Sequence, residues 1–175
     1  MKRVAVIGSG GAGKSMFARG LGERTALPVI HLDRLYWKPG WVEPPQDEWQ
    51  VLHAELIQPE RWIIDGNYGS TMEARVAAAD TVIFLDLPRL ECIRGALQRH
   101  WRHRAGGRPD MVAGQRERID PKFLWWIWRY PDTRRPGVLA RLAKLPPTTQ
   151  VIRVRSRREA RDVLDSLAPP GAAGR

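Results

Sequence analysis

Gly8-Ser9-Gly10-Gly11-Ala12-Gly13-Lys14-Ser15 follows directly on the apolar run Val4-Ala5-Val6-Ile7 and leads into a segment of helical character, Ser15-Met16-Phe17-Ala18-Arg19-Gly20-Leu21. A glycine, four residues and then Gly-Lys-Ser is the spacing of a loop that cradles phosphate. Here it stands between a buried-strand signal and a helix signal, as that use requires. Glycines permit positive φ and leave no Cβ in the way, so successive backbone N–H groups can turn inward on one anion. The start of the following helix adds unpaired N–H groups and the positive end of its dipole. On this reading Gly8, Ser9, Gly10, Gly11, Ala12 and Gly13 bind the tail of ATP. Lys14 reaches its β- and γ-phosphates, and the Ser15 hydroxyl is a ligand for Mg²⁺. The competing reading is a glycine-rich turn between a strand and a helix, which needs the four fixed positions to coincide by accident.

At 175 residues the chain is long enough for one domain with a proper apolar core. No window approaches 18 consecutive apolar residues, so no membrane span is expected. Met1-Lys2-Arg3 runs into a short strand and then glycine, without the apolar region of a signal peptide. A single cysteine, Cys92, excludes an internal disulfide. Together these imply a cytoplasmic protein. The formal net charge of +10 is unevenly placed: residues 1–88 hold 9 Lys/Arg against 11 Asp/Glu, and residues 89–175 hold 20 against 8. A basic second half suits nucleic acid or a site that grips several phosphates, and it is built almost wholly of arginine, which binds phosphate bidentately.

Taken in order, Val4–Ile7 reads as a strand buried on both faces, followed by a helix to about Arg24. Leu27-Pro28-Val29-Ile30-His31-Leu32 reads as a second strand ending at Asp33. Ligands of open α/β sheets bind beyond the carboxyl ends of the strands, so Asp33 should face the same crevice as Lys14; its alternative is a helix-cap or turn aspartate. Residues 34–60 break the alternation of strand and helix and read as a small flap. It has a rigid aromatic loop, Tyr36-Trp37-Lys38-Pro39-Gly40-Trp41, and a helix from Asp47 to Gln58. Trp37 and Trp41 either stack on a planar substrate or form a satellite core.

Arg61–Asp65 is a third strand, and Ser70-Thr71-Met72-Glu73 has the form of a capping box opening a helix through Ala78. Asp80–Asp86 is a fourth strand, closed by Leu87-Pro88. Asp65 and Asp86 both lie at carboxyl ends; Asp65 is assigned to the Mg²⁺ shell and Asp86 to the turn. Arg89–Arg104 is a helix bearing Arg94, Arg99, Arg102 and Arg104, continued by the Gly106-Gly107 loop. An Arg-bearing segment of this kind, about 102–118, reads as a lid over ATP or as a solvated basic face. Phe123-Leu124-Trp125-Trp126-Ile127-Trp128-Arg129-Tyr130 holds more rings than one helical stripe buries. It either packs beneath the lid or against a partner, or stacks on bases. Pro131 and Pro136 are expected to interrupt this helix, and Val138–Leu145 to form another. Gln150–Arg155 is a fifth strand, with Arg155 at the end where an adenine would lie. Ser156–Glu159 is a second capping box, and 168–175 is expected to be disordered.

The loop Gly8–Ser15, His31-Leu32-Asp33, Trp37–Trp41, Trp62-Ile63-Ile64-Asp65-Gly66-Asn67-Tyr68 and Val82–Pro88 together resemble the bacterial adenylate-kinase-related proteins often called "DNA topology modulation protein", over about residues 1–167. The resemblance implies an α/β P-loop NTPase of the nucleoside/nucleotide-kinase-like branch. Its sheet would be five-stranded and parallel in the order 2-3-1-4-5, with helices on both faces and small flap and lid insertions. Arg99, and near the second such position Arg94, fall where adenylate kinases carry catalytic arginines. The arginine of the Asp-Gly-Phe-Pro-Arg motif, which helps bind the acceptor's phosphate, is replaced by the sequence Asn67-Tyr68 after Asp65-Gly66.

The expected activity is transfer of the γ-phosphoryl group of ATP to a small-molecule acceptor, with Lys14, Asp33, Arg94 and Arg99 catalytic. Arg102, Arg104 and Arg155 would help hold the nucleotide, and Ser15 and Asp65 the Mg²⁺. The alternative is an ATP-responsive nucleic-acid-associated protein that uses the basic half and the 122–135 run.

Overall fold

Strand β1 (Arg3–Gly8) is packed from both sides: Val4 and Val6 point to one face, Ala5 and Ile7 to the other, and none is exposed. An apolar run without alternation is what a strand needs when helices cover both faces of its sheet. In the computed structural model, which describes residues 1–38, 40–103 and 120–167, β1 is the middle of five parallel strands. The order is β2 (Val29–His31), β3 (Trp62–Asp65), β1, β4 (Thr81–Leu85), β5 (Gln150–Val154), as the resemblance implies. Most of the expected lid, residues 104–118 and with them Arg104, and the expected disordered tail lie outside the described residues.

Register aligns the chemistry. His31 pairs with Asp65, Val6 with Asp65 and Gly8 with Leu85, while Leu85 pairs with Val154, so the carboxyl ends form one edge. One face of the sheet packs on α1 (Lys14–Thr25), α5 (Arg89–His103), α6 (Pro121–Thr133) and α8 (Arg157–Ser166), through Phe17, Leu21, Cys92, Ile127 and Leu164. The other packs on α2 (Leu32–Tyr36), α3 (Gln46–Leu56), α4 (Gly69–Ala78) and α7 (Arg135–Leu142), through Leu32, Trp49, Met72 and Leu142.

Three local expectations are corrected. The helix after β3 is not opened by a Ser70–Glu73 capping box: it starts at Gly69, with Tyr68 at the N-cap making no side-chain cap bond. Tyr68 takes φ 36°, and its hydroxyl is drawn away to Asp33, so Ser70 already lies inside the first turn. Pro131 does not break α6, which runs on to Thr133. So near the helix end it removes a single backbone bond, and the buried Ile127 and Tyr130 hold the turn against the sheet. The second strand is shorter than read, and Leu32–Tyr36 is helical, which places Asp33 in a helix's first turn. At α8 the N-cap half of the second capping box is present, Ser156 Oγ accepting from the Glu159 N–H at 3.1 Å, while the Glu159 carboxylate accepts from the N–H of Arg155, one residue before the N-cap, at 2.5 Å.

Helix α5 crosses the Gly8–Ser15 loop at backbone distance. A Cβ on Gly95 would lie 2.2 Å from the Gly11 carbonyl oxygen, and one on Gly11 would lie 1.9 Å from the Cys92 carbonyl oxygen. Alanine in a helix interior gains up to about 1 kcal/mol over glycine. Here the clash with backbone reverses the sign, since overpacking of this kind costs about 1–3 kcal/mol. Gly95→Ala should therefore lower the urea midpoint of unfolding; a midpoint unchanged or raised would show that helix and loop do not meet in this way.

Candidate active site

The loop between β1 and α1 has the conformation that glycines allow. Gly11 (φ 72°) and Gly13 (φ 92°) are left-handed. Gly13 is the N-cap of α1 and offers no side chain, so the first turn is not closed by a side-chain acceptor. The amides that a serine or aspartate cap would satisfy are left without a side-chain acceptor, and a helix start of that kind suits an anion. Supports surround the loop. The Gly8 N–H donates to Asn67 Oδ1 at 3.1 Å. Phe123 of α6 lies so close to Gly10 that a Cβ there would come within 2.6 Å of its ring. Arg157 Nη2 donates to the Gly11 carbonyl at 3.4 Å and to the Glu91 carbonyl at 3.2 Å.

Beside the loop opens a cleft of about 630 Å³, lined by Gly11, Ala12, Gly13, Lys14 and Ser15 and also by Asp33, Asp65, Arg99, Arg102 and Arg157. The Lys14 ammonium donates to the carbonyls of Gly8 and Ser9, at 3.0 and 2.9 Å. It is folded back on its own loop at the wall of the cleft. Burial holds its pKa below the ordinary lysine value; the carboxylates of Asp33 and Asp65 pull it upward, and Arg99 pushes it down.

The carboxylates are held in place by neighbours. Asp65, buried at the end of β3, has its Oδ1 2.6 Å from His31 Nδ1. Asp33 Oδ1 accepts from the Tyr68 hydroxyl at 2.6 Å, and burial and this carboxylate together push the Tyr68 pKa far above its usual value. Asp86 is engaged elsewhere: Arg135 Nε lies 2.8 Å from one oxygen and Arg153 Nη2 2.6 Å from the other.

Behind the loop after β3 sits Arg75, fully buried, whose Nη2 donates to the carbonyls of Gly66 and Asn67, both at 2.8 Å. Its Nη1 lies 3.0 Å from His53 Nε2. The neutral imidazole accepts this bond; burial, then the guanidinium charge, depresses the His53 pKa to about 4.

The arginines divide. Arg99 and Arg102 line the cleft, and Arg99 lies 5.7 Å from the centre of the Phe123 ring. Arg94 is exposed on α5 and Arg155 is exposed after β5, and neither is among the cleft-lining residues. Arg157, two residues beyond Arg155, contacts the loop through the Gly11 carbonyl. Its position as the first residue of a capped helix was legible, but the direction of its side chain was not. Trp37 and Trp41 pack on each other at 5.4 Å, and Trp37 on Tyr36 at 5.1 Å; Tyr36 in turn meets Trp49 and Tyr68. That is the satellite core. On α6, Phe123 and Trp126 stack at 5.9 Å, while Trp125 and Trp128 face outward, each beside an arginine.

No family model and no curated protein sequence matches the chain. Among solved structures it is similar to shikimate kinase from Acinetobacter baumannii in complex with shikimate, with a TM-score of 0.61 at 13% identity over 95% of this chain and 90% of that one. It is also similar to shikimate kinase from Bacteroides thetaiotaomicron, with a TM-score of 0.57 at 15% identity over 95% of both chains. Deoxyadenosine kinase from M. mycoides gives a TM-score of 0.55 at 13% identity over 94% of this chain and 97% of that one. The chain has the P-loop kinase fold. Among the described residues no helix is long and apolar enough to cross a membrane.

The His53–Arg75 contact makes a pH prediction. The ordinary histidine pKa near 6.5 falls to about 4 in the folded protein, so between these values the unfolded chain binds a proton that the folded one does not. Stability should fall by about 1–3 kcal/mol as pH drops through this window, and His53→Gln should flatten the slope. Urea midpoints measured from pH 7 to 4 check this; identical slopes in the two proteins would contradict it.

Proposed function

We propose that the protein is an ATP-dependent phosphotransferase that moves the γ-phosphoryl group to a small-molecule acceptor. The observation that carries the reading is the uncapped start of α1 and the Lys14 ammonium on one wall of a cleft that also holds Asp33 and Asp65. The resemblance in sequence to adenylate-kinase-related proteins and the likeness in fold to small-molecule kinases support it.

In this reading Lys14 leaves the Gly8 and Ser9 carbonyls for the β- and γ-phosphates, and the loop amides hold the remaining oxygens. Asp33 orients the acceptor hydroxyl and takes its proton. The acceptor oxygen bonds to the γ-phosphorus as the bond from that phosphorus to the β–γ bridging oxygen breaks, and ADP carries the departing electron pair. Arg99 and Arg102 balance charge on the transferring group, and Arg157 holds Gly11 in place. Ser15 and Asp65 both line the cleft, and one hydroxyl with one carboxylate is the small oxygen set with which Mg²⁺ keeps its waters and substrate phosphates. Bound there, the ion would supply charge neutralisation on the phosphate oxygens. The site would be carried on a single domain spanning about 1–167, with 34–60 acting as a flap.

Lys14→Ala removes a charged donor from the phosphates and should cost about 10²-fold or more in ATP turnover, with ATP affinity reduced as well. Isothermal titration and an ADP-release assay check this. A variant that binds and turns over ATP as the parent does would overturn the assignment.

A further inference from the structure

Strands β1 and β3 part company where the Gly8–Ser15 loop begins, and one buried side chain stands at the fork. The Trp62 N–H donates to the Lys2 carbonyl at 2.9 Å and the Gly66 N–H to the Val6 carbonyl at 3.2 Å. In that register the next donor on β1 is the Gly8 N–H, and the acceptor opposite it is the Gly66 carbonyl. The Gly66 carbonyl is held instead by Arg75 Nη2 at 2.8 Å, and the Gly8 N–H goes to Asn67 Oδ1 at 3.1 Å. The same Nη2 holds the Asn67 carbonyl at 2.8 Å. One guanidinium nitrogen thus fixes both the carbonyl taken from the ladder and the residue that replaces it.

Arg75 lies on α4, fully buried, and is not among the residues that line the cleft. Its Nη1 is anchored 3.0 Å from His53 Nε2 of α3. Burial lowers its pKa to about 10 while Asp65 and Tyr68 draw it upward, so the guanidinium is charged at neutral pH and its bonds to the carbonyls are charge-assisted. Gly66 takes φ 138°, in the range that favours glycine, at the point where its carbonyl leaves the ladder. A neutral side chain at 75 would leave the Gly66 carbonyl without this donor, and the register supplies the Gly8 N–H in its place.

Resting on the phosphotransferase reading above, we propose that Arg75 is a positioning residue of the nucleotide site. By drawing off the Gly66 carbonyl it ends the β1–β3 ladder at Val6 and leaves the Gly8 N–H to Asn67, which sets where the loop departs from the sheet. It touches neither nucleotide nor acceptor and acts through Asn67.

The hydrogen bond is read without a variant and without ATP, by long-range HNCO spectra, which record coupling across N–H···O=C bonds. A correlation from the Gly8 nitrogen to the Asn67 side-chain carbonyl carbon is expected; its absence, or a correlation to the Gly66 carbonyl carbon, overturns the proposal. The consequence for the site is read by calorimetric titration with ATP and Mg²⁺. Asn67→Ala should weaken binding about 3–10-fold, and Arg75→Met about tenfold or more. The double variant should bind no more weakly than Arg75→Met alone, because both changes act on the same N–H. Met72→Ala, in the core on the same helix, should lower the urea midpoint while the folded protein keeps the parent's affinity. Losses that add in the double variant, or a Met72→Ala that weakens binding as much as Arg75→Met, overturn the positioning role. Should Arg75→Met fail to fold, Arg75→Gln, neutral and shorter, takes its place under the same criteria. A parent protein that does not bind ATP, or whose binding Lys14→Ala leaves unaltered, removes the phosphotransferase reading itself, and the Gly8 correlation still decides the fork.

Discussion

A loop whose glycines hold left-handed backbone has to be held in that shape from outside, because glycine gives up the most conformational freedom on folding. Here the holding is done at backbone distance. Helix α5 lies so near the loop that neither Gly11 nor Gly95 has room for a Cβ. Asn67 takes the Gly8 N–H, Arg157 grips the Gly11 carbonyl, and Phe123 backs Gly10. The Lys14 ammonium rests on the carbonyls of Gly8 and Ser9, which satisfies a buried cation. In the proposed function a phosphate would offer the same ammonium a stronger, charged acceptor.

The rest of the site is organised by where strands end. Parallel pairing brings Gly8, His31, Asp65, Leu85 and Val154 to one edge. The segment 65–68 ties that edge to the loop: Asp65 meets His31, Gly66 and Asn67 are fixed by Arg75, Asn67 reaches Gly8, and Tyr68 reaches Asp33. Tyr68 holds a left-handed backbone, φ 36°, unusual for an aromatic residue. Strain of that kind persists where surrounding contacts over-determine it, and such places are often sites of function.

Periodicity made the sheet legible, because strands buried on both faces must be apolar throughout, and the Gly8–Ser15 spacing located the loop. Asp65 is legible from its place at the end of β3, whereas Asp33 lies past β2 in the first turn of α2. What escaped was set by side-chain reach across elements. Arg75 reads in sequence as one more helical arginine, yet it is among the most deeply buried side chains and carries the loop after β3. Arg155 and Arg157 are two residues apart at a strand end, and only the turn into α8 decides which one faces the loop. Arg94 and Arg99 share a helix, but a shift of five residues turns the former to the exposed side. The rings of Trp37 and Trp41 pack on one another and on Tyr36, an outcome that depends on the pairing of Lys38 with Val42 more than on composition.

The central claim is that the amides around Gly11–Ser15 receive the triphosphate. Backbone ¹⁵N–¹H spectra recorded while ATP and Mg²⁺ are titrated in test it directly. The account predicts the largest, saturable shifts at Gly11, Gly13, Lys14 and Ser15, with a smaller set at Arg157. Shifts confined to the outer face of α6 around Trp125 and Trp128, with the loop amides unmoved, would contradict it.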